Sequence, residues 1–140
     1  PLVVGDRLDT DIEGASAVGC DSILVLSGVT TPVDLLGAVP RHRATYLGRD
    51  VSALLFAHPE VRTMDLTTEC AQWTVIRDTK TLTLKSRVSD VTPTSDGLDA
   101  LRALCGAAWS GDPSGDLGTA WTCAAADEAA RSALAELALG

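Results

Sequence analysis

The sequence predicts an α/β segment built on a parallel sheet, followed by a small α+β unit, and three observations carry that prediction. First, two continuous apolar runs, Leu2-Val3-Val4 and Ser22-Ile23-Leu24-Val25-Leu26-Ser27, flank a short helical stretch. An apolar run without alternation fits a strand covered on both faces, as in a parallel sheet, and strand, helix, strand is a βαβ unit. Second, the pattern changes downstream to alternation over Gln72 to Arg77 and Thr81 to Lys85, which reads as an antiparallel hairpin. Third, an apolar stripe at helical spacing runs from Leu98 to Trp109.

Taken in order, Leu2 to Val4 form a strand that runs into a loop at Gly5-Asp6. Asp11 to Val18 is a short helix, with Asp11 as cap or first-turn carboxylate and Gly19 as its stop. Ser22 to Ser27 is the second strand, with Gly28 behind it. Pro32 to Ala38 reads as another short helix, Ala44 to Leu47 as a short strand, and Val51 to Phe56 as a closing helical turn or two. Residues 58–70 are polar, aperiodic and interrupted by Pro59, so they read as a linker between residues 1–57 and 71–140. The hairpin turns at Asp78-Thr79-Lys80. Ser95-Asp96 opens the helix that carries Leu98, Leu101, Leu104 and Ala108. Gly111 to Gly118 is a loop, Ala120 to Ala124 a strand, and Asp127 to Leu139 a closing helix with Ala130, Leu134 and Leu137 inward. The second unit is thus β-β-α-β-α. No internal repeat is visible.

Composition narrows the function. The 140 residues are 46% hydrophobic and 21% charged, enough apolar material for a packed core and too little charge for a disordered segment. No apolar run approaches the roughly 18 residues of a membrane span, and no basic segment precedes an apolar one as in a secretory signal. The cytoplasm is the expected compartment. The chain opens with Pro1 inside an apolar run, so its N-terminus reads as a cut. A net charge of −8 and a pI near 4.5 argue against nucleic acid as a partner, because the phosphate backbone would be repelled. Cys20, Cys70, Cys105 and Cys123 contain no CxxC pair and read as buried, reduced thiols. Trp73, Trp109 and Trp121 sit at apolar positions of expected elements and read as core. Arg41-His42-Arg43 reads as a solvated loop rather than a phosphate contact, and Lys80 and Lys85 as hairpin surface. Nothing in the sequence fixes the oligomeric state, which leaves room for a homo-oligomer.

The informative segment is Gly5-Asp6-Arg7-Leu8-Asp9-Thr10-Asp11-Ile12, with carboxylates at Asp6, Asp9 and Asp11. It follows the carboxyl end of a buried strand, the edge at which open α/β sheets bind ligands. Clustered carboxylates repel one another unless water or a cation separates them. Mg²⁺ suits the place, since it takes oxygen ligands from one or two carboxylates and completes its shell with water and substrate phosphate. Spacing alone leaves two readings open: a magnesium loop, or a solvated loop whose Asp11 caps the next helix.

The run Leu2 to Ala15, with G-D-x-x-x-T-D-I at its centre, closely resembles the fourth motif of the haloacid dehalogenase-like (HAD) hydrolases. The similarity is greatest to the subgroup of phosphoglycolate, pyridoxal-phosphate and glycerol-3-phosphate phosphatases. Ser22 to Thr30, ending in Ser27-Gly28-Val29, and Ala44 to Asp50 resemble the segments that follow in that subgroup. The resemblance covers about the first fifty-five residues. It implies the C-terminal part of a Rossmann-like core, a small phosphorylated metabolite as substrate, and Mg²⁺ as cofactor. Asp6 would be a metal ligand and Asp11 an outer-shell partner of the same ion. Gly5, Arg7 and Thr10 would support the loop, with Thr10 hydrogen-bonding within it, while Asp9 falls at a variable position and reads as solvated surface. The implied reaction is phosphate monoester hydrolysis through an aspartyl-phosphate. The nucleophile of that family lies in a D-x-D motif on its first strand, which would precede Pro1. The Asp9-Thr10-Asp11 triplet belongs to the fourth motif, so this chain alone is expected to be inactive.

In this phosphatase group the appended second half resembles part of an N-acetyltransferase (GNAT-like) fold, and the β-β-α-β-α order is compatible with that. Coenzyme A cradles need a glycine-rich, basic loop opening a helix. Gly111-Asp112-Pro113-Ser114-Gly115 has glycines but no basic residue. The extension therefore reads as a packing or regulatory module ahead of a coenzyme A binder. A non-catalytic interaction module remains the competing reading for the chain as a whole.

Overall fold

The computed structural model describes residues 1–111 and 120–140. Its first half is a parallel three-stranded sheet in the order β1 (Leu2–Gly5), β2 (Asp21–Val25), β3 (Tyr46–Gly48). Leu2 pairs with Asp21 and Val4 with Ile23, so that Val4, Ile23 and Val25 share one face. Between β1 and β2 the chain makes a widened, π-type turn over Leu8–Ile12 and continues into α1 (Glu13–Ala17). Gly19, at φ +70°, ends α1 as the sequence predicts: the Cys20 amide reaches back to the Ala15 carbonyl and the Gly19 amide to that of Ser16. α2 (Pro32–Leu36) starts at Thr31, whose side chain and that of Asp34 cap each other's backbone amides, with proline in the first turn.

The second half is a five-stranded mixed sheet in the order β4 (Arg62–Met64), β5 (Thr67–Cys70), β6 (Trp73–Asp78), β7 (Thr81–Ser86), β8 (Thr122–Ala125). The first four strands are antiparallel neighbours, and β8 joins β7 in parallel after the helix α3 (Asp99–Trp109). α4 (Glu128–Glu136) closes the chain, capped by Asp127, whose carboxylate also accepts from the amide and hydroxyl of Ser86 at the end of β7. The hairpin and both long helices stand where the sequence places them.

The stretch read as a linker differs. Residues 62–70 form β4 and β5, joined through Asp65, which takes a left-handed conformation at φ 53°. Thr68 and Cys70 face inward and are almost fully buried, and Thr63 and Thr68 share a hydrogen bond of 2.9 Å across the two strands. A threonine turned inward offers its methyl to the core and its hydroxyl to a neighbour, so a strand of threonines looks polar in the sequence. Just upstream, His58 packs on Phe56 and Tyr46 and bonds the Ala53 carbonyl at 2.8 Å, which holds this part of the chain against the first sheet.

α3 ties the halves together. The sequence shows a stripe, whereas nine of its eleven residues are buried, because the helix lies against β5, β6 and β7 on one side and α2 on the other. One continuous apolar core contains Ile12, Leu24, Leu35 and Leu47 from the first half with Val75, Leu82, Leu101 and Leu104 from the second. Polar bonds also cross between the halves. Trp109 Nε1 donates to the Leu35 carbonyl at 2.9 Å, Arg102 to the Leu47 carbonyl at 2.8 Å, and Arg49 to the Asp96 carbonyl at 2.8 Å. Trp73, Trp109 and Trp121 are partly buried against this core, and the Arg77 guanidinium lies over the Trp121 ring at 5.8 Å. Cys70 and Cys105 are buried and Cys20 and Cys123 half-buried, all four as free thiols. Burial pushes the Cys70 thiol up to about 12, with the Asp99 charge adding to it, and raises Cys105 and Cys123 in the same direction.

Candidate metal site

β1 delivers Gly5 and Asp6 to the carboxyl edge of the parallel sheet, and the π-type turn folds Asp11 back over them. The Asp11 carboxylate does not cap α1. Neither the turn nor α1 has a side-chain cap, and Asp11 Oδ2 instead accepts the amides of Asp6 and Arg7, each at 3.2 Å. The Asp11 and Ile12 amides return bonds to the Arg7 carbonyl at 3.1 and 3.2 Å. This closed loop explains Gly5: a Cβ there would lie 2.3 Å from Asp11 Cβ and 2.4 Å from Oδ2, so any side chain would expel the carboxylate.

The three carboxylates have different partners. Asp9 is exposed and takes a two-pronged pairing from Arg7, Nε to Oδ1 and Nη2 to Oδ2, both at 3.2 Å. That hydrogen bonding from Arg7 holds the Asp9 carboxyl below its ordinary value. Asp11 is occupied by backbone amides. Asp6 forms no ion pair among the described residues, and its carboxylate takes a single hydrogen bond, from Ser27 Oγ to Oδ2 at 2.9 Å. Its main-chain carbonyl accepts Thr30 Oγ1 at 2.7 Å. Two of the three carboxylates, Asp6 and Asp11, thus lack an ion pair among the described residues; Asp11 is turned back onto the loop amides, and Asp6 is oriented by the Ser27 hydroxyl.

Of the expected supporting residues, Gly5 and the Arg7 amide take part in the loop. Thr10 does not, being exposed with no hydrogen bond to its hydroxyl among the described residues; the hydroxyl that fixes the loop is that of Thr30. Sequence reading missed Ser27 and Thr30 as site residues, although both stand in the segment after β2 that resembles the phosphatase motif. Among the described residues no three His, Cys, Asp or Glu side chains converge as a ready cluster for a metal. The donor set here is one or two carboxylates, the hard oxygen ligands that a divalent cation such as Mg²⁺ takes.

Neighbouring cations are already matched. Arg41 Nε and His42 Nε2 lie 2.8 and 2.9 Å from Glu13 Oε1, and these bonds, His42 first, lower the Glu13 carboxyl. A cleft of about 700 Å³ runs between the halves past Arg7, Asp9, His42 and Trp121, but Asp6 does not line it. Its arginines Arg7 and Arg41 are paired with Asp9 and Glu13. The glycine-bearing segment considered for coenzyme A falls on residues 112–119 beyond Gly111 and lies outside the described residues.

A carboxylate loop at the carboxyl edge of a parallel sheet, on a core shared with a mixed-sheet unit, defines an open α/β domain with an α+β extension. Residues 1–54 match the HAD-hydrolase-like family, and residues 70–139 the GCN5-related N-acetyltransferase like domain. The chain is 37% identical over 134 residues, 95% of its length, to D-glycerol 3-phosphate phosphatase of Mycobacterium tuberculosis. Crystal structures of glycerol phosphate phosphatase from that organism match 99% of the chain. The complex with magnesium gives a TM-score of 0.73 at 34% identity and the complex with calcium 0.77 at 35%. Residues 1–54 are thus of the haloacid dehalogenase-like hydrolase type, and the second half is GNAT-like. The chain spans 37% of the curated relative's length and 38% of the solved chains. No helix among the described residues is long and apolar enough to cross a membrane.

Proposed function

We propose that this chain supplies the magnesium-holding part of a phosphatase acting on a small phosphorylated metabolite, with glycerol 3-phosphate the leading substrate and 2-phosphoglycolate the next. The observation that carries the reading is the state of Asp6, a carboxylate at the sheet edge with a hydroxyl on one oxygen and no ion pair among the described residues. The glycerol phosphate phosphatases similar to this chain support the substrate class.

Asp6 would hold Mg²⁺ directly. Asp11 would act behind it by fixing the amides of Asp6 and Arg7, and so the direction in which Asp6 points. When bound, the ion offsets the charge of the phosphoryl oxygens and of an attacking carboxylate. The nucleophilic carboxylate would come from residues outside this chain and attack phosphorus. The ester oxygen leaves as an alcohol on receiving a proton, and water then splits the aspartyl-phosphate to inorganic phosphate and the free carboxylate. β1 has β2 on one side and an unpaired edge on the other, with Leu2 and Val4 partly exposed, which gives a further strand a place to pair.

The test is Asp6→Asn in the full-length protein, followed by phosphate release from glycerol 3-phosphate and from 2-phosphoglycolate over a magnesium titration. We expect activity to fall by orders of magnitude across the titration, because a neutral amide oxygen binds the cation far more weakly than a carboxylate. Near-full activity across the titration would refute the assignment.

A further inference from the structure

We propose that Ser27 is a positioning residue for the Asp6 carboxylate, fixing Oδ2 so that Oδ1 is the oxygen presented to the cation; this rests on the magnesium reading of Asp6 above. The connection after β2 grips Asp6 at two points. Ser27 Oγ donates to the carboxylate at 2.9 Å, and Thr30 Oγ1 donates to the main-chain carbonyl at 2.7 Å. Thr30 is buried, with 6% of its surface exposed, and so anchors the backbone. Gly28, at φ +106°, makes the bend that lets both hydroxyls reach back across β1, a conformation few other residues adopt.

The terminal torsion of an aspartate is broad and roughly two-fold, so an unheld carboxylate rotates freely. Arg7 does not hold Asp6, since its guanidinium is committed to Asp9. Ser27 is the one side chain among the described residues that holds this carboxylate. A hydroxyl is also the right kind of donor, because it orients the carboxylate without cancelling its charge, whereas a guanidinium in its place would compete with the cation.

The experiment is titration calorimetry of MgCl₂ into the full-length protein without substrate, for wild type, Ser27→Ala, Ser27→Thr and Asp6→Asn, with the metal-free melting temperature of each. Loss of an outer-shell partner of this kind typically weakens a metal ~10-fold or more. We expect that loss for Ser27→Ala at an unchanged melting temperature, affinity close to wild type for Ser27→Thr, and no measurable binding for Asp6→Asn. Wild-type affinity in Ser27→Ala with binding lost in Asp6→Asn would overturn the role of Ser27 and leave the Asp6 reading standing. Equal weakening in Ser27→Ala and Ser27→Thr would also overturn it, since the hydroxyl would then not be the cause. Wild-type affinity in Asp6→Asn would bring down the Asp6 reading together with this one.

Discussion

The molecule contains two aspartate groups built on opposite plans. In the loop after β1, Asp6 is left with a hydroxyl and solvent. At the start of α3, Asp96 and Asp99 enclose Arg102, whose guanidinium is almost fully buried. Arg102 donates to both oxygens of Asp96 at 2.9 and 2.6 Å, to Asp99 at 3.1 Å and to the Leu47 carbonyl at 2.8 Å. Asp99 also takes the Thr94 amide and Asp96 the Leu98 amide. Burial alone would push the Asp96 carboxyl up, yet the hydrogen bonds from Arg102 and Leu98 outweigh it and hold it below its ordinary value. The contrast teaches that a count of acidic residues says little about a site. A carboxylate whose charge is cancelled inside the protein is architecture, and one left uncancelled is available for chemistry.

The strongest way to break this comparison is Arg102→Met. Removing one member of a buried ion group strands the others, and we expect a loss of about 3–5 kcal/mol by urea unfolding, with Asp6→Asn leaving metal-free stability nearly unchanged. A small loss would mean that the α3 group is as dispensable to folding as the loop. Acid sharpens the same point. The folded Asp96 carboxyl lies below its ordinary value of 3.8, so its contribution is fully present above that pH and is lost as pH falls through the depressed value. The stability gap between wild type and Arg102→Met should therefore narrow below pH 3.8, which paired unfolding curves at neutral and acid pH would measure.

A smaller effect is expected from Gly5→Ala. The added methyl meets Asp11, and we expect about 1–3 kcal/mol of destabilisation together with weaker magnesium binding, whereas no α3 substitution should touch the metal. Least of all, Trp109→Phe removes the bond to the Leu35 carbonyl, which keeps the Ala38 amide as a partner. About 0.5–1.5 kcal/mol is expected, read as a small fall in melting temperature.

Much of this was legible in the sequence, for definite reasons. The runs at Leu2 to Val4 and Ser22 to Ser27 are apolar without alternation because both faces of the first sheet are covered in places. Leu24 and Leu47 lie in the main core, and Ile23 and Val25 pack with Ala53 and Phe56 on the other side. The hairpin showed because the buried Val75, Leu82 and Leu84 alternate with less buried neighbours. β4 and β5 were hidden because β4 is exposed throughout and the inward residues of β5 are threonine and cysteine, near the small Gly106 of α3, where a Cβ would approach Val61 to 2.5 Å and Thr68 to 3.1 Å. The acidic loop was legible as a loop, but how its three carboxylates divide between Arg7, the backbone amides and a hydroxyl was not. That depends on Ser27, Thr30 and the backward reach of Asp11, contacts made by folding rather than by neighbours in the chain.

The burial of α3 against both halves has a practical consequence for anyone recombining these modules. The two family matches leave residues 55–69 between them, an inviting place to splice one half onto a foreign partner. No seam exists there. β4 and part of β5 run through that interval, and a chimera joined in it would inherit half a wall: a first half without the helix that covers Leu35 and Leu47, and a second half with Trp109 and Arg102 reaching for carbonyls no longer present. The two modules travel as one unit of exchange.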